Sequence, residues 1–326
     1  MKYYLGVDIG GTKSHALIAD ENGQVLGFGR AGSGSWEGVG YDGLKRALEN
    51  ISDQALKMAG VKLEQVAGAG MGIAGFDWPS QRQPHLDIIN SLGLQCPVEL
   101  VNDAALGIPA GTRQGWGVSV VSGTGCNCRG WNADRSRTGR AVGGQGHWSD
   151  EAAGGYDILF RAIRAVSFEW TQRGPATALT QAFIEKTSAA NLDHLIEGLY
   201  LEQYPLDRSY VMMVFEIAAQ GDPEALQVMR WAGDQLGQLA CGVIRQVGLQ
   251  NDIFEVVQIG SIYNGHPLIS EQMRETIHQT APQAEIVRLT VPPVIGGVLL
   301  GMESVMGKRA YLLHQQVHES IQGLKI

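Results

Sequence analysis

The first thirty residues carry the apolar pattern of three short strands separated by polar turns. Apolar residues dominate positions 3–9, 14–19 and 24–28, and the turns between them are Gly10-Gly11-Thr12-Lys13 and Asp20-Glu21-Asn22-Gly23. Apolar residues then recur at helical spacing over 40–60. The pattern continues as strand, helix, strand and helix at 66–73, 84–92, 98–101 and 104–110. This order predicts an α/β layer.

A second copy of the opening pattern begins near residue 117. The strand at 117–121 leads into Ser122-Gly123-Thr124-Gly125, and the strand at 126–131 ends in a polar turn at 132–134. Aligning Gly11-Thr12 with Gly123-Thr124, about 112 residues apart, brings both strands and both polar turns into step. Two copies in phase predict a duplicated fold. The remaining pattern predicts helices at 156–170, 178–187, 191–199, 209–220, 223–247 and 267–279, strands at 255–259 and 285–289, and a terminal helix from 295.

Length and composition indicate a globular chain with two cores. At about 150 residues per domain, 326 residues predict about two domains. We place them at 1–116 and 117–305, with a terminal helix at about 306–326 packing back on the first. Hydrophobic residues make up 44% and charged residues 18%, which excludes a disordered chain. Glycine, with 44 residues, is about twice as frequent as usual, which we attribute to tight turns and close approaches of backbone to ligand.

Charge and cysteine content exclude several classes of function. A net charge of −8 without a dense Lys/Arg cluster argues against a nucleic-acid surface, but backbone N–H groups and a metal can still hold a nucleotide's phosphates. The four cysteines form neither a C-x-x-C pair nor a Cys/His cluster, so we predict no zinc site and no disulfide framework. No uncharged apolar stretch reaches about 18 residues, and Asp8 interrupts the first apolar run. We therefore expect a cytoplasmic protein without membrane association.

The two glycine-rich turns are candidates for a phosphate site. Glycines let backbone N–H groups approach phosphate oxygens, and Thr12 or Thr124 adds a hydroxyl. Asp8 precedes the first turn, where it can hold Mg²⁺ directly or through water. Either turn alone is equally well explained as an ordinary hairpin. Together they predict a cleft that holds a polyphosphate chain from both sides.

A carboxylate follows the strand at 98–101. Asp103, after Asn102, is placed to accept the proton of an attacking hydroxyl, as phosphoryl transfer requires. The alternative is that Asp103 only caps the helix that starts at Ala104. A second polar cluster, at 143–151, suits hydrogen bonding to a polyol. Within it, His147 is also explained by packing or exposure, and Glu151 by the first turn of a helix.

Two further positions become candidate ligand contacts only when they are considered together with these motifs. Gly260-Ser261 follows the strand at 255–259 and can border a nucleoside, or it is a plain loop. Trp36 can stack on a sugar face, or it packs in the core as isolated tryptophans commonly do.

Five motifs in order resemble those of the N-acetylglucosamine kinases and the related BadF/BadG-type ATPases of the sugar kinase–actin–chaperone ATPase superfamily. They span nearly the whole chain: Asp8-x-Gly10-Gly11-Thr12, Asn102-Asp103-Ala104-Ala105, Ser122-Gly123-Thr124-Gly125-Cys126-Asn127-Cys128, Gly144-x-Gly146-His147 with Asp150-Glu151, and Gly260-Ser261. The resemblance implies an α/β fold of two RNase H-like (actin-like ATPase) domains around a nucleotide cleft.

The resemblance also implies roles for individual residues. Asp103 would be the catalytic base for the 6-hydroxyl of an amino sugar, most simply N-acetylglucosamine or a related hexosamine, and Asp8 would position Mg²⁺. The expected ATP contacts are Gly10, Gly11, Thr12, Lys13, Gly123, Thr124, Gly125, Gly260 and Ser261. The expected sugar contacts are Trp36, Asn102, Asn127, Gly144, Gln145, Gly146 and Asp150. Many relatives dimerise through the second domain, which implies a homodimer.

Departures from the family pattern concern the sugar. Ser149 and Ala152 replace glycines that the family usually carries around its Asp-Glu pair, which limits positive φ there. Gly34 stands where the amino-sugar kinases place an asparagine two residues before the tryptophan. These changes weaken the prediction that the substrate is N-acetylglucosamine more than they weaken the prediction that the protein is a kinase.

Two other functions are compatible with the same fold. ATP-driven activators of dehydratases or reductases hold an iron–sulfur cluster between two subunits, which needs two well-placed cysteines per chain. Cys126 and Cys128 lie at the phosphate turn and Cys241 lies in a helical stretch, which disfavours this function. A non-catalytic sugar-binding or regulatory protein would be indicated by loss of Asp103 or of the phosphate turns, and all of these are present.

Overall fold

The computed structural model describes residues 1–142 and 153–322. The first part of the chain forms strands β1 (Tyr3–Ile9), β2 (Ser14–Asp20), β3 (Val25–Ala31), β4 (Val66–Ile73) and β5 (Val98–Val101), and helices α1 (Trp36–Ala59), α2 (Arg82–Ser91) and α3 (Gly107–Gly111). The second part forms strands β6 (Gly117–Ser122), β7 (Cys126–Trp131), β8 (Thr138–Val142), β9 (Phe254–Ile259) and β10 (Ala284–Arg288). Its helices are α4 (Gly155–Trp170), α5 (Ala178–Thr187), α6 (Leu192–Tyr200), α7 (Arg208–Ala219), α8 (Pro223–Val247), α9 (Pro267–His278), α10 (Val294–Met306) and α11 (His314–Ile321).

The two five-stranded sheets have the same strand order. The first sheet runs β3-β2-β1-β4-β5 and the second runs β8-β7-β6-β9-β10. In each copy the first three strands form an antiparallel meander, and the other two are parallel to the first strand. The predicted duplication is therefore confirmed. Each glycine-rich turn joins the first two strands of its copy, so the two turns occupy equivalent places.

The observed secondary structure differs from the predicted one at three places: the start of α1, the segment 104–110 and the β8 strand. The α1 helix begins at Trp36 rather than at 40, because Gly40 adopts a φ of 68° and kinks the helix instead of starting it. The predicted helix at 104–110 is a 3₁₀ turn, Asp103–Leu106, followed by the short α3. The β8 strand was not predicted, because alternating Thr, Gly and Arg give its residues no apolar run.

The α10 helix packs on the first sheet, although the predicted boundary assigns all of its residues except Met306 to 117–305. Its backbone lies against β1 and β4: a Cβ added to Gly70 would lie 2.2 Å from the Gly297 carbonyl oxygen, and one added to Gly6 would lie 2.4 Å from the Val298 nitrogen. Only residues without side chains permit this approach. Part of the glycine excess therefore serves helix-on-sheet packing rather than turns or ligands. Residues after α10 extend the same core through Tyr311, Val317 and Ile321.

The segment that starts at Asp103 lies between the two halves of the molecule. The Ser119 hydroxyl of β6 donates to the Ala104 carbonyl oxygen over 2.6 Å. A Cβ added to Gly107 would lie 2.0 Å from the side chain of Ile259 in β9, and one added to Gly296 of α10 would lie 2.0 Å from the Leu106 oxygen. Two strands of the second sheet and the α10 helix thus fix residues 103–107 tightly.

Helices cover the second sheet with the larger apolar core, which draws on α4, α7, α8 and α9. Within residues 1–142 and 153–322, no helix combines the length and the apolar character needed to cross a membrane.

Candidate active site

Two carboxylates converge at one edge of the first sheet. Asp8 is the penultimate residue of β1, and Asp103 follows β5, and these strands run parallel through β4. Burial raises the pKa of Asp8 to about 8, with the nearby Asp103 adding to the rise and Lys13 opposing it. Burial also raises the pKa of Asp103 to about 6. The charge of Asp77 adds to that rise, whereas the Ala104 amide and Arg129 oppose it. Each carboxylate therefore lies in a poorly solvated place where a proton or a cation is favoured.

A buried polar network, not predicted from the sequence, holds the segment before Asp103. The Arg129 guanidinium forms an ion pair with Asp77, and its Nε donates to the Asn102 Oδ1 over 3.2 Å. The Asn102 Nδ2 donates to the Asp77 Oδ1 over 3.2 Å, and the Ala104 N–H donates to the Asn102 Oδ1 over 3.0 Å. Asn102 is 5% exposed. Both of its polar atoms have protein partners, so in this structure Asn102 caps the turn that carries Asp103.

The two glycine-rich turns are closed by their own backbones. The Gly10 N–H donates to the Lys13 oxygen over 3.0 Å, and the Gly123 N–H donates to the Gly125 oxygen over 2.9 Å. A Cβ added to Gly11, Gly123 or Gly125 would meet no atom of the described residues within 4 Å, and none of the three has a left-handed φ. Neither packing against the described residues nor backbone conformation therefore explains glycine at these positions. The open space in front of the turns suits a phosphate group that approaches the backbone N–H groups.

Replacing Gly123 by Ala is expected to weaken nucleotide binding without unfolding the protein. The added methyl group enters the open space and keeps a phosphate oxygen from the backbone donors. Loss of one hydrogen bond to a charged group, about 1.5–3 kcal/mol, corresponds to about a tenfold or larger rise in the dissociation constant. Calorimetric titration with Mg-AMPPNP measures it, and an unchanged thermal midpoint serves as the folding control. Wild-type affinity in the variant would contradict a phosphate site at this turn.

The Gly260-Ser261 segment lies against the second turn. Gly260 has a φ of 108°, and an added Cβ would lie 2.0 Å from the Ser122 oxygen. On the other side, the Gly155 N–H at the start of α4 donates to the Gly123 oxygen over 2.8 Å. Arg288 donates to the Gly260 oxygen over 2.5 Å. The structure thus brings three predicted nucleotide contacts of the second half, Gly123, Gly260 and Ser261, into one region.

Apart from Asn102, described above, the predicted sugar contacts fall into three groups. The Trp36 indole N–H donates to the Gly75 oxygen over 2.8 Å, and Tyr41 stacks on one face of its ring with centroids 5.0 Å apart. The Asn127 Oδ1 is buried, and no donor among the described residues reaches it. Gly144, Gln145, Gly146 and Asp150 lie outside the described residues, as do His147, Ser149, Glu151 and Ala152.

The donor set suits a magnesium ion that arrives with phosphates. In the part of the chain that the structure describes, no three His, Cys, Asp or Glu side chains converge as a metal cage. Mg²⁺ is commonly held by one or two carboxylates, water and substrate phosphates. Asp8, which directly precedes the first turn, fits this mode of binding. Burial and the nearby Asp103 raise its pKa, and a bound cation would offset the repulsion between the two carboxylates.

Solved structures show which class of protein has this fold. A Chromobacterium violaceum protein, described as a candidate N-acetylglucosamine kinase, superposes with a TM-score of 0.65 at 20% identity and covers 92% of this chain and 99% of its own. A ROK family glucokinase from Streptomyces griseus, solved with glucose and AMPPNP, superposes with a TM-score of 0.52 at 20% identity over 96% and 99% of the chains. The fold is that of two RNase H-like domains of the actin-like ATPase type.

Sequence comparison places the chain within that class. The BadF/BadG/BcrA/BcrD ATPase family matches residues 5–301, and the chain belongs to this family. It is 26% identical to the N-acetylmuramic acid/N-acetylglucosamine kinase of Clostridium acetobutylicum, over 92% of this chain and 98% of the relative. It is 28% identical to the N-acetyl-D-glucosamine kinase of Dictyostelium discoideum, with the same coverage of both chains.

Proposed function

We propose that the protein is an ATP-dependent kinase that phosphorylates the 6-hydroxyl of an amino sugar, N-acetylglucosamine or a related hexosamine. The observation that carries the proposal is the position of Asp103: a poorly solvated carboxylate next to Asp8, at the edge where the first glycine-rich turn begins. The two relatives named as N-acetylglucosamine kinases, matched over nearly their full lengths, support this substrate class.

In this mechanism Asp103 accepts the proton of the sugar hydroxyl as that oxygen attacks the γ-phosphorus of ATP in line, and the bond from the γ-phosphorus to the β,γ-bridging oxygen breaks to release ADP. The turns at 10–13 and 123–125 hold the phosphates through backbone N–H groups and the Thr12 and Thr124 hydroxyls, and Gly260-Ser261 borders the adenosine. Asp8 positions Mg²⁺, which, when bound, neutralises the charge that develops on the phosphate oxygens. The sugar contacts are Trp36, Asn127, Gly144, Gln145, Gly146 and Asp150, and the Asn127 Oδ1 accepts a hydrogen bond from the sugar.

The pKa of Asp103 sets the acid limit of this reaction. A general base must be ionised, so with a pKa of about 6 the kcat/KM for the sugar is expected to fall as the pH drops through 6. An aspartate in water, with a pKa near 3.8, would put this limit about two units lower. Initial rates from pH 5 to 8, at saturating Mg-ATP and low sugar, measure the profile. A flat profile down to pH 5 would contradict the raised pKa of Asp103.

A panel of sugars tests the proposed reaction. ADP release would be followed with N-acetylglucosamine, glucosamine, N-acetylmannosamine, N-acetylmuramic acid and glucose, and the position of the phosphate in the product would be determined by ³¹P-coupled NMR. Sugar-dependent turnover with phosphate on O6 supports the proposal. ADP release that is indifferent to every sugar would indicate the ATP-driven activator instead. Sugar binding without any ADP release would indicate a non-catalytic sugar-binding protein.

We also propose that the protein is a cytoplasmic homodimer that associates through its second half. Tyr156, Phe160 and Trp170 lie along one stripe of α4 and are 46%, 56% and 45% exposed, which leaves large apolar surface open to solvent. A second copy of the same stripe would cover it in a two-fold interface. Light scattering after size exclusion tests this: a dimer that becomes a monomer in Phe160→Asp supports it, and a monomeric wild type refutes it.

A further inference from the structure

Two arginines on adjacent strands of the second sheet reach consecutive residues of the first half. Arg129 on β7 and Arg140 on β8 are cross-strand partners. Arg129 forms the ion pair with Asp77, and the Arg140 guanidinium lies 5.0 Å from the centre of the Trp78 ring. Asp77 and Trp78 belong to the loop that follows β4. We define this loop as residues 74–78, the β4 loop. The β7 and β8 strands of the second sheet therefore contact the β4 loop of the first half through Arg129 and Arg140.

The β4 loop also contacts both sides of the candidate sugar site. Its Gly75 oxygen accepts the hydrogen bond from the Trp36 indole, and its Asp77 carboxylate accepts the one from Asn102. Trp36 is the candidate stacking residue for the sugar, and Asn102 caps the turn that begins with Asp103. Displacement of the β4 loop would therefore move the indole and the base together.

Arg129 connects this loop to the second glycine-rich turn. The β7 strand begins at Cys126, directly after Gly125, and Arg129 is the fourth residue of that strand. From there its guanidinium bonds both Asp77 and Asn102. The Arg129 side chain is only 9% exposed and that of Asp77 10%. Burying an ion pair is costly compared with apolar packing of similar volume, so its presence here points to a requirement for a defined geometry rather than to stability alone.

We propose that Arg129 is a positioning residue of the phosphoryl-transfer site, which fixes the β4 loop and the Asn102-Asp103 segment in register with the second phosphate-binding turn. The proposal rests on the kinase function proposed above. In this proposal Arg129 acts through its bonds to Asp77 and Asn102. Through these bonds, binding of a nucleotide at the second glycine-rich turn aligns Trp36 and Asp103 with the sugar. The Arg129 charge also acts directly on Asp103, whose pKa it lowers against the effect of burial.

Steady-state kinetics of four variants test this role. In Arg129→Met, kcat is expected to fall about 10²-fold, the cost of a small misplacement of reacting groups, and the KM for the sugar is expected to rise while the KM for ATP stays near the wild-type value. Arg129→Lys keeps the charge but lacks the rigid planar fork with which the guanidinium bonds Asp77 and Asn102 together, so it is expected to recover only part of kcat. The double variant Arg129→Met/Asp77→Asn removes both charges of the ion pair, so it is expected to regain thermal stability but not kcat.

Arg135→Met is the matched control. Arg135 lies in the turn between β7 and β8 and forms an ion pair with Glu303 of α10, so it also joins the two halves, but through a different partner. Its loss is expected to lower the thermal midpoint and to leave kcat near the wild-type value. If Arg129→Met keeps the wild-type kcat and sugar KM, or if the double variant regains kcat together with stability, the positioning role is refuted.

A separate binding measurement keeps this inference distinct from the kinase proposal. If the wild-type protein turned over none of the sugars, the proposed kinase function would be overturned. Tryptophan fluorescence would still test directly whether nucleotide binding moves the β4 loop. Mg-AMPPNP is expected to change the tryptophan emission of the wild-type protein and to leave the emission of Arg129→Met unchanged. The variants Trp78→Phe and Trp36→Phe show which of the two rings reports the change. An equal response in wild type and Arg129→Met, or no response in wild type, would overturn the coupling itself.

Discussion

Replacing Asp103 by Asn is expected to lower kcat by about 10²–10⁴-fold, the usual contribution of a general base, with little change in either KM. The amide keeps the shape of the side chain but cannot accept the proton of the sugar hydroxyl. The coupled ADP-release assay measures the loss. Asp53→Asn removes an exposed carboxylate of α1 and serves as the matched control with unchanged kcat. A variant at position 103 that retains the wild-type rate would refute the assignment of the base.

The same substitution is expected to stabilise the fold at pH 8. Because the folded pKa of Asp103 is about 6 and its unfolded value is lower, the folded state binds this proton more tightly, and stability declines as the pH rises from about 4 through 6. Asn carries no such pH-dependent cost. A higher thermal midpoint together with lost activity would distinguish a catalytic carboxylate from a structural one, whose replacement lowers the midpoint.

Gly70→Ala is expected to lower the free energy of unfolding by about 1–3 kcal/mol or more, the range for overpacking a tight core. The new Cβ would lie 2.2 Å from the Gly297 oxygen and 2.6 Å from the Cβ of Leu300, so the clash involves backbone that cannot rotate away. Urea unfolding measures the loss.

The control for this substitution is Gly242→Ala in α8. A Cβ at that position meets no atom of the described residues within 4 Å, so the change is expected to stabilise the helix by about 1 kcal/mol. If both glycine variants unfold at the same urea concentration, α10 does not pack on β4 at the distance described.

Local patterns predicted most of the fold because most strands are dense apolar runs with clear turns between them. The duplicated order followed from two motifs in phase, and the second sheet repeats the strand order of the first. The β8 strand was missed because its stability comes from pairing with β7 rather than from its own apolar residues. The position of α10 was missed because its sequence is apolar except for Glu303 and Ser304 and does not indicate which sheet it covers.

The site was predicted to the extent that its residues form local motifs. Asp8, Asp103 and the two turns each carry a recognisable neighbourhood in the chain. Asp77 and Arg129 do not, because their ion pair joins residues 52 apart on elements from different sheets. One signal was available: Arg129 is the single charge within a strand of otherwise uncharged residues, and a buried charge requires a partner.

The packing of α10 on the first sheet makes the order of synthesis matter for folding. The strands of the second sheet are complete once residue 288 has left the ribosome, whereas the face of β1 and β4 stays uncovered until residues 294–306 emerge. The sheet that is translated first is thus the last to be closed, and its glycine-lined surface is exposed to other nascent chains meanwhile. A chain that ends before Val294 would leave that surface permanently open, so loss of a few dozen C-terminal residues disrupts the N-terminal half of the molecule.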